Sequence, residues 1–384
     1  MSDSAAGFDF SYTPAQEILR AAARAYIARE LTPAFLLAAD VTGRTPMELL
    51  PGMAAQGFIG LPVPVEFGGA DGGAADVCVL LEEFGRASLS IASLLNRALG
   101  WGVEALLRFG RPEQKQWYLP RVCAGEMMFA FSHTEPGAGS DAAAIRTRAV
   151  ADGDDFIIDG TKIFTSGAAE SPCLIVTART DPSVSKHRGL SVFLVEANTA
   201  GITCRRIEKL GMRAAGTLCE VQYEGVRVPS STLLGGLNEG WGVITGTLER
   251  ARLAQSAYCV GGAQQTIDDA LDHLSERPAI ARSQSLSQML VGLQIRTDAA
   301  RLLLHRAAAM VDAGQPCVRE ASIANLYATE TLLAATSEAL RVWGTAGLAP
   351  GNRTERALRD ARLFIIGDGS SQIQRNLIAR QIGL

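Results

Sequence analysis

The chain has 384 residues, a net charge of −4 and only 6% aromatic residues, enough length for two or three domains around a large buried core. Its 36 basic residues are spread along the chain rather than clustered, which argues against a nucleic-acid partner. No stretch approaches the roughly 18 uninterrupted apolar residues of a membrane helix, and the seven cysteines and four histidines follow no metal-ligand or disulfide spacing.

The opening MSDSAAGFDFSYTPAQ has neither the basic flank nor the apolar run of a secretory signal, so the expectation is a cytoplasmic protein with reduced thiols, no metal and no membrane contact. Residues 1–127 read as an N-terminal helical domain. PAQEILRAAARAYIARE sets Ile18, Ala22, Ala25 and Tyr26 along one face. RTPMELLPGMAAQGFIG reads as a shorter helix with Thr45 as N-cap and Pro46 at its first position. Two helical runs follow, around 74–84 and 90–109.

The texture changes near Met128. FIIDGTKIFTSG, CLIVTART, LSVFLVEA, ITCRRIEKLGMR and CEVQYEGVRVP are short, β-branched and punctuated by Gly and Asp-Gly. Residues 128–238 therefore read as a small β-domain. Residues 239–384 read as helices again. Leu286, Leu290, Leu293, Thr297, Ala300 and Leu304 form a bundle-type stripe, stopped by Gly314. Similar helices are expected at about 241–274 and 319–343, with a last one from Ser371. The fold class is mainly α with a central β-domain, which the resemblance described below makes a β-barrel.

GDGSSQ lacks the third glycine and the βαβ context of a dinucleotide fingerprint, GTK lacks phosphate-loop spacing, and no G-x-S-x-G elbow is present. FAFSHTEPGAGSD, residues 129–141, is a turn-rich segment whose hydroxyls and small residues let backbone N–H groups approach a polar ring or a pyrophosphate. Within it, TEPGAGSD closely resembles the flavin-binding signature of the acyl-CoA dehydrogenase superfamily, and GTKIFTSGA resembles its partner motif. The resemblance continues in order through KLGMRAAGTLCEVQYEGVRVP, TLERARLA, RVWGTAGLAP and RALRDARLFIIGDGSSQIQRNLIARQI.

That resemblance implies an N-terminal helical domain, a middle β-barrel and a C-terminal four-helix bundle, with FAD between the last two and a neighbouring subunit against its ADP half. A homotetramer or dimer is implied. Phe131, His133 and Thr134 would line the flavin edge, Gly139 and Ser140 would lie near the pyrophosphate, and Phe164, Thr165 and Ser166 would face the isoalloxazine, with Ser166 donating toward N5. Ser140, Glu249 and Arg252 would border the substrate. Arg277, Arg341, Gly344, Gly347, Gly369, Ser370 and Gln372 would meet the ADP half, several of them across the subunit boundary.

Asp368 stands where the superfamily usually has a catalytic Glu. The implied activity is an oxidoreductase of the EC 1.3 class that introduces an α,β double bond into an acyl thioester, carried on coenzyme A or a carrier protein. Asp368 would take the α-proton, hydride would pass to flavin N5, and an electron-transferring flavoprotein would accept the electrons. Asp is one methylene shorter than Glu, which leaves an alternative open: a flavin oxidase or monooxygenase on the same fold acting on an activated carbon acid such as a nitroalkane. The usual R-x-Q-F-G is RPAIA here, and a usual Gln is Arg341, so the grip on the adenine end is altered and a scaffold without cofactor is a third possibility.

Overall fold

A computed structural model describes residues 11–384. Seven helices come first: α1 (Pro14–Glu30), α2 (Pro33–Thr42), α3 (Leu49–Ala55), α4 (Ala74–Ala87), α5 (Leu89–Leu99), α6 (Trp101–Phe109) and α7 (Pro112–Cys123). Local chemistry sets their starts. Thr13 accepts from the Gln16 N–H while the Gln16 side chain accepts from the Thr13 N–H, a reciprocal cap ahead of Pro14. Thr32 caps α2 one way, accepting from the Phe35 N–H ahead of Pro33, and α2 stops at left-handed Gly43.

Two expectations change in this region. Thr45 does not cap a helix: its hydroxyl donates to Glu170 at 2.6 Å, and α3 begins only at Leu49. The helical run expected over 90–109 is two helices, because Gly100 adopts φ −95, ψ −113 and breaks it.

The middle of the chain forms one eight-stranded sheet from β1 (Phe129–Ser132), β2 (Arg148–Asp152), β3 (Asp155–Ser166), β4 (Cys173–Arg179), β5 (Leu190–Glu196), β6 (Ile202–Arg206), β7 (Leu218–Pro229) and β8 (Leu233–Leu234). The order is β6-β7-β3-β2-β4-β5-β8, with β1 added parallel to β4. The expected barrel is not what forms. A barrel needs its two edges to meet, whereas β6 pairs only with β7, and the two-residue β8 pairs only with β5. The sheet stays open.

Strands β4 and β5 are buried over almost their whole length. Alternation explains it: Cys173, Ile175, Val192 and Leu194 join the helical core on one face, while Leu174, Val176, Phe193 and Val195 join the sheet's own core on the other.

The C-terminal part comprises α8 (Gly240–Ser275), α9 (Pro278–Ala281), α10 (Gln284–Asp312), α11 (Val318–Trp343), α12 (Arg353–Phe364) and α13 (Ser371–Gln381). On α10 the buried residues include Leu290, Leu293, Thr297, Ala300 and Leu304, the stripe read from the sequence, and left-handed Gly314 follows the helix end. The N-terminal helices dock directly on α8. A Cβ on Gly85 would lie 2.4 Å from the Tyr258 carbonyl oxygen, and one on Gly261 would lie 2.0 Å from the Glu82 carbonyl oxygen. The two helix backbones therefore touch where α4 crosses α8. Among the described residues no helix is long and apolar enough to cross a membrane.

Candidate active site

The turn between α12 and α13 carries the acid. Gln255 of α8 donates to the Phe364 carbonyl at 2.9 Å, and Gln374 of α13 donates to the carbonyls of Asp368 and Gly369 at 3.2 and 3.0 Å. Ser370 caps α13 by accepting from the Ile373 N–H. Asp368 and Gly369 are consecutive left-handed residues, at φ 53 and φ 95. Asp tolerates that region better than most side chains do.

The turn sets Asp368 beside α8, where its charge acts on Arg252, Tyr258 and Cys259. Among the described residues no hydrogen bond or ion pair engages its carboxylate. By its accessible surface Asp368 is an exposed residue of the single chain, but protein atoms are dense around its carboxyl group. Burial accordingly pushes its pKa above the usual Asp range, with the attraction of Arg252 opposing. Arg252 is itself buried, and its Nε has no partner among the described residues. Burial lowers its pKa, while Asp368 and Glu249 hold it up.

A second surface is built where the chain leaves β1 and where β3 ends. The Ile163 N–H donates to the Thr134 carbonyl at 2.8 Å, joining the two segments. A register shift after Lys162 is accompanied by Phe164 at φ 59, left-handed and strained for an aromatic residue. The irregularity turns Phe164 out, 58% exposed, and leaves Ser166 on the same exposed face. Thr165 points the other way: its hydroxyl is buried 3.3 Å from Ser132, which also accepts from Tyr223 at 2.8 Å. The Thr165 side chain is therefore withdrawn from this face, contrary to the expectation for it, because strand alternation places it inside. Phe131 stacks between Trp101 at 4.0 Å and His133 at 5.3 Å.

His133 is buried, and among the described residues neither ring nitrogen has a partner of hydrogen-bonding geometry. Burial, with the nearby Lys162 charge, pulls its pKa down to about 3, so the ring is neutral. Lys162 is completely buried and donates to the His133 carbonyl at 2.9 Å and to Glu135 at 2.8 Å. Glu135 also accepts from the N–H groups of Arg146 and Thr147. Burial lowers the Lys162 pKa to about 8 against the pull of Glu135. Sequence reasoning missed this pair. Its signal lay in both quoted motifs, since Glu135 belongs to TEPGAGSD and Lys162 to GTKIFTSGA.

Gly139 and Ser140 lie exposed on the loop after His133, and a Cβ on Gly139 would meet nothing within 4 Å. Glu249 is half-buried on α8, and Gln372 is exposed in the first turn of α13. The remaining expected residues form another cluster at the ends of α8 and α11. Arg277 lies 3.0 Å from His273, whose ring meets Trp343 at 4.0 Å, beside exposed Arg341 and Gly344 and buried Gly347. Among the described residues no hydrogen bond, ion pair or ring contact links Arg277, Arg341, Gly344 or Gly347 to Asp368.

A mostly apolar cavity opens between α4, α5, α6 and α8, lined by Val77, Cys78, Leu99, Trp101, Ala251 and Ala254. Among the described residues no group of three or more His, Cys, Asp or Glu side chains is placed to hold a metal ion.

Three family models cover most of the chain: the acyl-CoA dehydrogenase N-terminal domain over 13–126, its middle domain over 130–226 and its C-terminal domain over 238–383. The chain belongs to the acyl-CoA dehydrogenase family. Among acyl-CoA dehydrogenase relatives, the probable acyl-CoA dehydrogenase YngJ of Bacillus subtilis is 34% identical, covering 97% of this chain and 99% of its own. Butyryl-CoA dehydrogenase from Megasphaera elsdenii superposes with a TM-score of 0.94 at 26% identity, over 98% of this chain and 100% of its own. The FAD complex of PigA superposes at 0.93 with 27% identity, over 98% and 100% respectively.

Proposed function

We propose that this acyl-CoA dehydrogenase family member uses FAD to introduce an α,β double bond into an acyl thioester, with Asp368 as the base. The observation that carries the reading is the Asp368 carboxylate. It is free of hydrogen bonds among the described residues, its proton affinity is raised by burial, and a fixed turn holds it beside α8. A carbon acid needs a base that is poorly solvated and not already paired, and this carboxylate is crowded by protein and unpaired. The names of the relatives and structures above support acyl-thioester dehydrogenation over a flavin oxidase acting on a nitroalkane.

The exposed face fits FAD. Phe164 offers an aromatic surface turned outward, Ser166 a hydroxyl on the same side, and Gly139 a loop with room for close approach. The chemistry that FAD supplies when bound is acceptance of the β-hydrogen as hydride. Ser166 would donate a hydrogen bond to the ring, and Phe131 and Thr134 would border its edge. Neutral His133 adds polarity there without charge. The Arg277, Arg341, Gly344 and Gly347 cluster, together with Gly369, Ser370 and Gln372, would receive the ADP half from a neighbouring subunit of a homo-oligomer. Ser370 and the N-terminus of α13 suit an anionic group.

Within this frame Asp368 takes the α-proton. Arg252 keeps the carboxylate from becoming too basic to ionise, and Glu249 and Ser140 would border the substrate. Electrons would leave through an electron-transferring flavoprotein, and the working compartment would be the cytoplasm, where seven free cysteines stay reduced.

The test is anaerobic addition of acyl-CoA and acyl-carrier-protein thioesters to the yellow holoenzyme. Wild-type flavin should bleach with a true substrate, and Asp368→Asn should keep its flavin spectrum without bleaching. Bleaching at the wild-type rate in Asp368→Asn removes Asp368 as the base.

A further inference from the structure

Arg97 lies in the last turn of α5, whose residues Asn96 and Leu99 line the apolar cavity. Its Nη1 and Nη2 are both buried and, among the described residues, have no hydrogen-bond partner. Two glycines make room for them. A Cβ on Gly167 would lie 1.8 Å from Nη1, and one on Gly216 would lie 2.4 Å from it. Both glycines adopt positive φ, at 75 and 138, so the backbone there resists any other residue for a second reason. Gly167 directly follows Ser166, the proposed donor to the flavin.

The charge around Arg97 is not balanced. Glu170 attracts it, but Glu170 Oε1 accepts from the Thr45 hydroxyl at 2.6 Å and from the Thr217 hydroxyl and N–H at 2.5 and 3.0 Å, Oε2 accepts from the same N–H at 3.3 Å, and among the described residues Glu170 forms no ion pair with Arg97. Lys209 approaches the same spot, donating to the Gly216 carbonyl at 2.6 Å, and repulsion from Arg97 adds to burial in lowering its pKa to about 8. Burial likewise pulls Arg97 down to about 10. A guanidinium held in a fitted recess without its anion is destabilising, unless a ligand supplies that anion.

We propose that Arg97 reads a carboxylate at the far end of the acyl group, so that the substrates are ω-carboxyacyl thioesters. This rests on the acyl-thioester reading above and narrows its substrate class. A carboxylate presents two acceptors to Nη1 and Nη2 together, the pairing for which a guanidinium fork is shaped. An acyl chain would bring it, because Asn96 and Leu99, before and after Arg97 on α5, are among the residues lining the apolar cavity.

The experiment compares anaerobic flavin bleaching by succinyl-, glutaryl- and adipyl-CoA with that by butyryl-, pentanoyl- and hexanoyl-CoA, repeated on a phosphopantetheinylated carrier protein. The wild type should favour the carboxylated member of one pair. Arg97→Met should lower that carboxylated-to-neutral ratio of kcat/KM by about 10²-fold, as expected for the loss of one charge-assisted pair. Without ligand, Arg97→Met should raise Tm, since it removes an unpaired buried charge. A structural arginine would instead lower Tm and leave the ratio alone, which overturns the proposal. Equal losses on both members of a pair, with a shifted flavin reduction potential, assign the anion to the flavin and also overturn it. Bleaching by neutral chains alone defeats the carboxylate while leaving the dehydrogenase reading intact. Bleaching by no thioester on either carrier defeats both.

Discussion

At the scale of single residues, the site depends on how two crowded charges share α8 and the turn before α13. Burial raises the Asp368 pKa, and Arg252 is the one charge opposing that rise. Removing the cation lets the rise go further. The base must be ionised to accept a proton, so bleaching is lost as pH falls through the Asp368 pKa. Arg252→Met should therefore move the acid limb of the bleaching profile to higher pH, and at a fixed pH on that limb the rate should drop. Stopped-flow bleaching across pH checks this, with the flavin spectrum confirming that cofactor is retained. A limb that stays in place, or moves to lower pH, would show that Arg252 does not act on the base.

At the scale of elements, the Lys162–Glu135 pair fastens β3 to the segment that leaves β1. Breaking a buried pair leaves an uncompensated charge and typically costs about 3–5 kcal/mol. Glu135→Gln, which keeps an oxygen for the Arg146 and Thr147 N–H groups, and Lys162→Met should each destabilise on that order, whereas the two together should recover much of the loss. Thermal and denaturant unfolding of the wild type and these variants measures the coupling, and simple additivity would refute it. The same pair shows what a sequence can reveal. The α10 stripe was legible because burial on a helix repeats with its period, and β4 and β5 were legible because both their faces are covered. Closure of the sheet was not, since it depends on whether β6 and β8 meet, a distance that no local pattern encodes. Asp368 was found by its place in a family motif. Arg97, by contrast, carries no motif, and its meaning arises only from Gly167 and Gly216, distant in sequence and adjacent in space.

At the scale of the whole molecule, the N-terminal helices and α8 are joined backbone to backbone, and the apolar cavity lies between them. Gly261 sits against the Glu82 carbonyl, and Gly85 against that of Tyr258, the tyrosine that feels the charge of Asp368 and packs on Phe364 at 5.3 Å. A methyl group at Gly261 would lie 2.0 Å from the Glu82 carbonyl oxygen, rigid backbone that has no rotamer by which to yield. Gly261→Ala must therefore separate α4 from α8, with an overpacking cost of about 1–3 kcal/mol. The shift reaches Tyr258 and the cavity wall, so turnover should fall together with stability. Gly292, on the exposed side of α10, has nothing within 4 Å of the point where a methyl group would stand. There the same substitution should stabilise by roughly 0.5–1 kcal/mol, because alanine is the better helix former. Opposite signs from one chemical change, read as Tm and bleaching rate, would establish that α4 and α8 meet at glycine. If Gly261→Ala proves as harmless as Gly292→Ala, the helices are not in backbone contact, and the cavity between them is not set by that crossing.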